Sequence, residues 1–167
     1  MLRLSVDGLP QPGGSKSAYR HKHTGKIVVV DANKNVKGWK EAVQWQVKEQ
    51  LPERFQLFDC PLIVGCTFFM PRPKGHFTKK GKLSATGKRR PKPDVKPDVL
   101  KLMRSTEDAL TGVVWTDDAR ITGQHLEKLY VSGNDRAGVE IVVAPALEYN
   151  MVMSFTYIDP ADRRHEE

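Results

Sequence analysis

Leu2, Leu4 and Val6 alternate with polar neighbours at period two, which predicts a strand with one buried face; Gly8, Pro10, Pro12, Gly13 and Gly14 end it. A loop rich in basic residues follows, and residues 27–30, all β-branched, predict a short second strand. Together they read either as a phosphate-contacting segment or as a plain basic hairpin. Val36, Trp39, Ala42, Val43 and Val47 then recur at helical spacing up to Leu51 and Pro52, with Asn33 or Asn35 as the cap, so this helix presents an apolar stripe to a core. Residues 61–70 (PLIVGCTFFM) are apolar almost throughout, as in a strand covered on both faces, and are the best candidate for the centre of a sheet.

Residues 99–111 predict a second helix, started by Asp98 and stopped by Gly112. Residues 121–131 and 138–143 predict two strands joined by a turn cluster, Ser132, Gly133, Asn134 and Asp135, and hence a hairpin. This order of elements predicts one small α/β (α+β) domain, a mixed sheet flanked by two main helices. The domain is expected over residues 1–147. Residues 148–167 are expected to be a partly disordered extension, with 151–158 as an extra edge strand or docking segment.

A length of 167 residues with 39% hydrophobic side chains suits a single core and excludes two full-sized domains. No apolar run reaches the roughly 18 to 20 residues that span a bilayer, and the N-terminus alternates where a signal peptide would be continuously apolar. A cytoplasmic location without membrane contact is expected. Cys60 and Cys66 are too few for a disulfide framework and read as buried, reduced thiols.

Charge changes the picture. The net charge is +7, yet residues 71–96 hold ten Lys/Arg against one acid, Asp94, leaving the other 141 residues at −2. The basic character belongs to this insert, and a polyanion is its natural partner. Rich in Pro and Gly and without hydrophobic periodicity, the insert reads as a long mobile loop inside the domain. Lys79, Lys80, Lys88, Arg89, Arg90, Lys92 and Lys96 are its candidate DNA contacts, with Lys16 and Arg20 from the first loop and Lys101 on the second helix. A general single-strand binder would interleave aromatics, and Phe77 is the only one in the insert.

Several familiar chemistries are excluded. Gly13-Gly14-Ser15-Lys16-Ser17 lacks the Gly-Lys-Ser/Thr order of a phosphate-binding loop, so no nucleotide cofactor is expected. The two cysteines and five histidines have no zinc spacing. What remains is acidic: Asp98 precedes the second helix, and Asp117 with Asp118 follows it. Mg²⁺ at phosphodiesters takes its ligands from such carboxylates, phosphate oxygens and water. Arg104 lies between the two stations and can counter charge on phosphorus. Plainer roles stand beside these: Asp98 as a helix cap, Asp117-Asp118 as a turn, and Arg104 as the partner of Glu107 or Asp108.

On a helical wheel Val99, Leu102, Met103, Thr106, Ala109 and Leu110 share one arc of about 120°, while Lys101, Arg104, Ser105, Glu107 and Asp108 fall outside it. Leu100 breaks the pattern, about 60° beyond the apolar arc on the polar face.

These residues resemble the signature of the RusA-type Holliday junction resolvases. That signature runs Pro-Asp, any residue, Asp-Asn-Leu, any residue, Lys, then Asp-Ala-Leu, then Asp-Asp-Ala/Ser-Gln-Val/Ile. Here it reads Lys96-Pro97-Asp98-Val99-Leu100-Lys101-Leu102-Met103-Arg104, Asp108-Ala109-Leu110-Thr111-Gly112, and Trp115-Thr116-Asp117-Asp118-Ala119-Arg120-Ile121. The likeness covers residues 1–143. It implies a Mg²⁺-dependent homodimer, with Mn²⁺ as a possible substitute, that nicks four-way DNA junctions in recombination and repair. Asp98 and Asp118 would be metal ligands, Asp117 a supporting one, and Arg104 the stand-in for the catalytic Lys.

Two departures are plain: Leu100 stands where the signature has its second acid, and Lys101 where it has Asn. Glu107, about 20° from Leu100 around the axis but roughly 10 Å along it, is a weak substitute ligand, and Asp94 another. The rival expectation is a junction-binding protein of the same fold with weak or no nuclease activity, because Leu100 has replaced a ligand.

Overall fold

The computed structural model describes residues 1–131 and 136–149. Its main sheet has four strands in the order β1 (Leu2–Asp7), β6 (Gly138–Pro145), β4 (Leu62–Met70), β5 (Ile121–Tyr130). β1 and β4 each run antiparallel to β6, while β4 and β5 are parallel. The sheet is therefore mixed, as expected, with 61–70 in its interior. The hairpin expected from residues 121–131 and 138–143 does not form: β4 lies between β5 and β6. The turn cluster 132–135 and the segment 151–158 lie outside the described residues.

Alternation sets the buried face. Leu62, Val64, Cys66, Phe68 and Met70 point to the core with Leu4, Val6, Val139, Ile141 and Val143, while Ile63, Thr67 and Phe69 are only half-buried. Two helices, α1 (Val36–Gln50) and α3 (Val99–Leu110), cover that face and pack on each other. α1 contributes Val36, Trp39, Val43 and Val47, as its periodicity predicts. Asn35 occupies the cap position of α1 without a side-chain cap bond; the Asn33 carboxamide oxygen accepts from the Asn35 N–H instead. The Gln46 and Gln50 carboxamides each donate to and accept from the backbone of β1, at Asp7 and Ser5, over 2.7 to 2.9 Å. Cys66 is buried and Cys60 half-buried, both as free thiols, and burial pushes the Cys66 thiol pKa up, which keeps it inert.

β2 (Lys16–Arg20) and β3 (Ile27–Asp31) form a separate two-stranded hairpin. The parallel step from β4 to β5 passes through residues 71–120, which hold the basic segment, a five-residue helix α2 (Ala85–Arg89) and α3. In the segment expected as a long mobile loop, Lys74–His76 form a 3₁₀ turn and Phe77 bridges Leu83. Its organiser is Arg72. The guanidinium carbon sits 4.1 Å from the centre of the Tyr130 ring, and its nitrogens donate to the carbonyls of Gly87, Arg90 and Pro91. One planar fork thus satisfies three carbonyls and gains about 0.5 to 2 kcal/mol from the ring, and hydrophobic periodicity carries no trace of it. A short helix, α4 (Ala146–Tyr149), follows β6. Among the described residues no helix is long and apolar enough to cross a membrane.

Candidate nucleic-acid and catalytic site

The candidate site is built along the polar face of α3. Leu102, Met103, Thr106, Ala109 and Leu110 are buried, and Val99 is half-buried against the core, so Asp98, Lys101 and Arg104 face solvent. Leu100 is 69% exposed, which agrees with its place on the wheel. Ser105 departs from the wheel: it is fully buried, its hydroxyl within hydrogen-bond distance of the Gln11 and Leu102 carbonyls. The cause is the loop between β1 and β2, which lies over this side of α3. The Gly13 N–H donates to the Lys101 carbonyl at 2.8 Å, and a β-carbon at Gly13 would lie 3.0 Å from that of Ser105.

Asp98 occupies the cap position of α3 but makes no side-chain cap bond; Lys101 Nζ lies 3.9 Å from its carboxylate. Its approach is fixed from β5, where the Lys128 ammonium donates to the carbonyls of Val95 and Pro97 at 2.9 and 2.8 Å. Lys101 also donates to the Ser15 hydroxyl at 3.2 Å, tying the root of the β2–β3 hairpin to the same helix. Arg104 neighbours Gly14, and Asp108 pairs with Lys40 of α1 at 2.6 Å.

Asp117 and Asp118 open a 3₁₀ turn, Asp118–Arg120, just before β5. Asp117 has the plainer of its two expected roles: its Oδ1 accepts from the Ala119 N–H at 2.8 Å and caps the turn. Asp118 is exposed; its carbonyl accepts from the Ile121 N–H, while its carboxylate makes no hydrogen bond or ion pair among the described residues. Arg120, where the signature has Gln, instead pairs with Asp59 at 2.7 Å.

Glu107 joins α3 to β5. Half-buried, it accepts from the Gln124 carboxamide at 2.7 Å. Burial raises its pKa, as do the charges of Asp118 and Asp108, while the Gln124 bond and Arg104 act the other way. Arg104, Glu107 and Asp118 thus share one electrostatic neighbourhood. Among the described residues no three His, Cys, Asp or Glu side chains converge where they could hold a cation. Asp98, Asp117 and Asp118 are not among a cluster of three such groups, and two residues after Asp98 the exposed Leu100 presents methyl groups where the signature has an acid.

Of the expected DNA contacts, Lys79, Lys80, Lys88, Arg89 and Lys96 are exposed and form no ion pair among the described residues. Others are engaged: Lys16 with Asp31 at 2.6 Å, Lys92 with Glu127 at 2.6 Å, and Arg90 with Asp94 at 3.9 Å. The sequence reading missed Gly13, Gly14, Ser15 and Lys128, which position α3 and its polar face. The glycines were the available signal, since a Gly-Gly pair outside a phosphate loop marks close backbone approach.

The chain is thus a small α+β domain whose α3 opens on Asp-Val-Leu-Lys-Leu-Met-Arg. Residues 10–144 match the family model of endodeoxyribonuclease RusA, and the protein belongs to that family. It is also similar to the uncharacterized protein YqaN of Bacillus subtilis (strain 168), with 25% identity over 143 residues that cover 85% of this chain and 94% of that protein.

Proposed function

We infer that the protein is a structure-specific endonuclease that binds four-way DNA junctions as a homodimer and nicks them in a Mg²⁺-dependent reaction. The observation that carries this reading is the grouping of exposed Asp98, Lys101, Arg104 and Asp118 about α3, within a chain of the RusA family. Lys101 and Arg104, three residues apart on one helix, face solvent together and suit the oxygens of one or two adjacent phosphates. Water attacks phosphorus and gives a proton to solvent, the bridging P–O bond breaks with its electron pair leaving on the sugar oxygen, which takes a proton from solvent, and Arg104 counters the charge that builds on the phosphoryl oxygens. A bound divalent cation supplies Lewis acidity to that phosphoryl group. Asp98 and Asp118 are the hard oxygen donors this chain offers it, fewer than a closed protein site needs. A two-fold pair of chains brings two identical sites to the two symmetry-related strands of a junction.

A second reading is favoured by Leu100. Its exposed side chain stands where the family signature has an acid, and a chain lacking that ligand binds junctions and cuts them weakly or not at all. A nicking assay on a synthetic four-way junction, with Mg²⁺, Mn²⁺ or neither, separates the two. Paired nicks that need the cation support the nuclease, and tight binding without nicking under every condition supports the binding protein. Light scattering of the chain alone and on a junction tests the dimer, which a strict monomer in both states would overturn.

A further inference from the structure

Within the basic segment, Phe77 and Leu83 form an apolar pair that stands outside the core. They face each other in an antiparallel bridge. The Ser84 N–H donates to the His76 carbonyl at 2.9 Å on one side of the pair, and the Thr78 N–H to the Lys82 carbonyl at 2.7 Å on the other. Because the flanking residues make these bonds, Phe77 and Leu83 are a closely spaced cross-strand pair with both side chains on one face. They are 41% and 39% exposed. Between them the chain reverses through Thr78-Lys79-Lys80-Gly81-Lys82, where the Gly81 N–H donates to the Thr78 carbonyl at 2.9 Å and Gly81 has φ +76°.

Charge selects what can cover this pair. Residues 77–83 are all exposed, and Lys79, Lys80 and Lys82 form no ion pair among the described residues. No acid occurs in residues 71–93. An apolar protein surface laid on Phe77 and Leu83 would desolvate those ammonium groups without pairing them. A nucleic acid supplies phosphates for the lysines and, where stacking is broken, base faces for the ring and the leucine. An uninterrupted duplex exposes no base face until a step is unstacked. Where four arms meet, stacking is interrupted and the last pair of an arm can be reached.

The turn is also held at a fixed place. His76 is buried, its ring edge-on to Tyr130 with 5.7 Å between centres, and a β-carbon on Gly87 of α2 would collide with the His76 carbonyl oxygen. Arg72, over the same Tyr130 ring, donates to the Gly87 carbonyl. Tyr130 lies two residues beyond Lys128 on the same face of β5, and Lys128 holds the carbonyls of Val95 and Pro97 just ahead of Asp98. One strand therefore sets the position of both the cationic turn and the start of α3.

We propose that Phe77 and Leu83 pack on a base face exposed at the branch point of DNA, while Lys79, Lys80 and Lys82 take the flanking phosphates. The proposal rests on the reading of branched DNA as substrate, and adds to it the element that recognises the branch.

The test uses the full chain without divalent cation, so that binding is read without cutting. Fluorescence anisotropy compares a four-way junction with a linear duplex of the same arm sequence at one salt concentration. Phe77→Ala combined with Leu83→Ala is expected to lower junction affinity about tenfold and duplex affinity less than about twofold, and Phe77→Trp to keep the wild-type preference. Replacing Lys79, Lys80 and Lys82 by Ala should weaken both complexes by a similar factor. With p-benzoylphenylalanine in place of Phe77, photo-crosslinks should map to the nucleotides at the branch point. Equal losses on both DNAs in the double alanine variant, or crosslinks confined to the arms, would each overturn the base contact while leaving the branched-substrate reading in place. A wild type that binds junction and duplex alike would overturn that reading as well.

Discussion

Gly14 and Arg104 are in contact across the gap between a loop and a helix: a β-carbon at Gly14 would lie 2.7 Å from Arg104 Cδ, and the glycine has φ +78°. Any larger residue is strained there by about 1 to 2 kcal/mol and displaces the arginine, whose side chain is free to move outward. Gly14→Ala is therefore expected to fold, to melt a few degrees lower, and to lose at least about tenfold in nicking rate while retaining junction affinity. Nicking at the wild-type rate would remove Arg104 from the reaction.

Leu100→Asp is expected to fold with a stability change within about 0.5 kcal/mol, because a side chain 69% exposed forfeits little buried area. The new carboxylate stands beside Asp98 and one helical turn before Arg104. Calorimetry should show tighter Mg²⁺ or Mn²⁺ binding, and the junction assay faster nicking. Unfolding would assign Leu100 to an interface.

Asp117 and Asp118 should separate cleanly. Asp118→Asn is expected to abolish nicking and leave both melting temperature and junction binding intact. Asp117→Ala removes the cap on Ala119 and should cost about 1 kcal/mol, seen in thermal melts, with a partial loss of nicking. Unimpaired nicking by Asp118→Asn would end its assignment as a metal ligand.

Glu107 makes stability depend on pH with a definite sign. Its pKa is raised in the fold, so between the ordinary glutamate value and the raised one the folded chain keeps a proton the unfolded chain has lost, and stability falls as pH rises through that window. Glu107→Gln, which can still accept from Gln124, should melt higher than wild type at neutral pH. The gain should be no more than about 1 kcal/mol after solvent screening and should vanish below about pH 4. Melts across pH in which the two chains move in parallel would contradict this.

Affinity for DNA is expected to fall steeply with salt. Replacing Lys88, Arg89 and Arg90 by Ala should flatten the slope of log K against log salt by roughly one unit for each phosphate the variant no longer neutralises. Arg90 should contribute least, since it pairs with Asp94. An unchanged slope would leave residues 71–96 as a solvated connection between β4 and α3.

Much of this architecture was legible along the chain, for identifiable reasons. α1 and α3 carry strong helical periodicity over 15 and 12 residues, and most of their buried positions follow from it, as does the exposure of Leu100; β4 was legible as an apolar run, although only one of its faces is fully buried. Ser105 was not legible, because its burial depends on a loop about 90 residues earlier in the chain. The pairing of β5 was misread for a related reason: a short turn cluster favours a hairpin locally, while the partner that wins, β4, is reached only through a crossover of some 50 residues. Asp98, Arg104 and Asp118 could be named from spacing and resemblance. The groups that hold them in place could not, since Lys128, Ser15 and the two glycines act through contacts between segments distant in the chain that no local pattern encodes.

The paired carboxamides of Gln46 and Gln50 have a consequence for assembly. β1 is an outer strand, and the backbone groups of Ser5 and Asp7 that would recruit a strand from another molecule are already bonded to α1. Continuous sheet formation between chains is closed on that side, so two molecules that pair, or crowd together at high concentration, must meet through side chains or through another margin of the sheet.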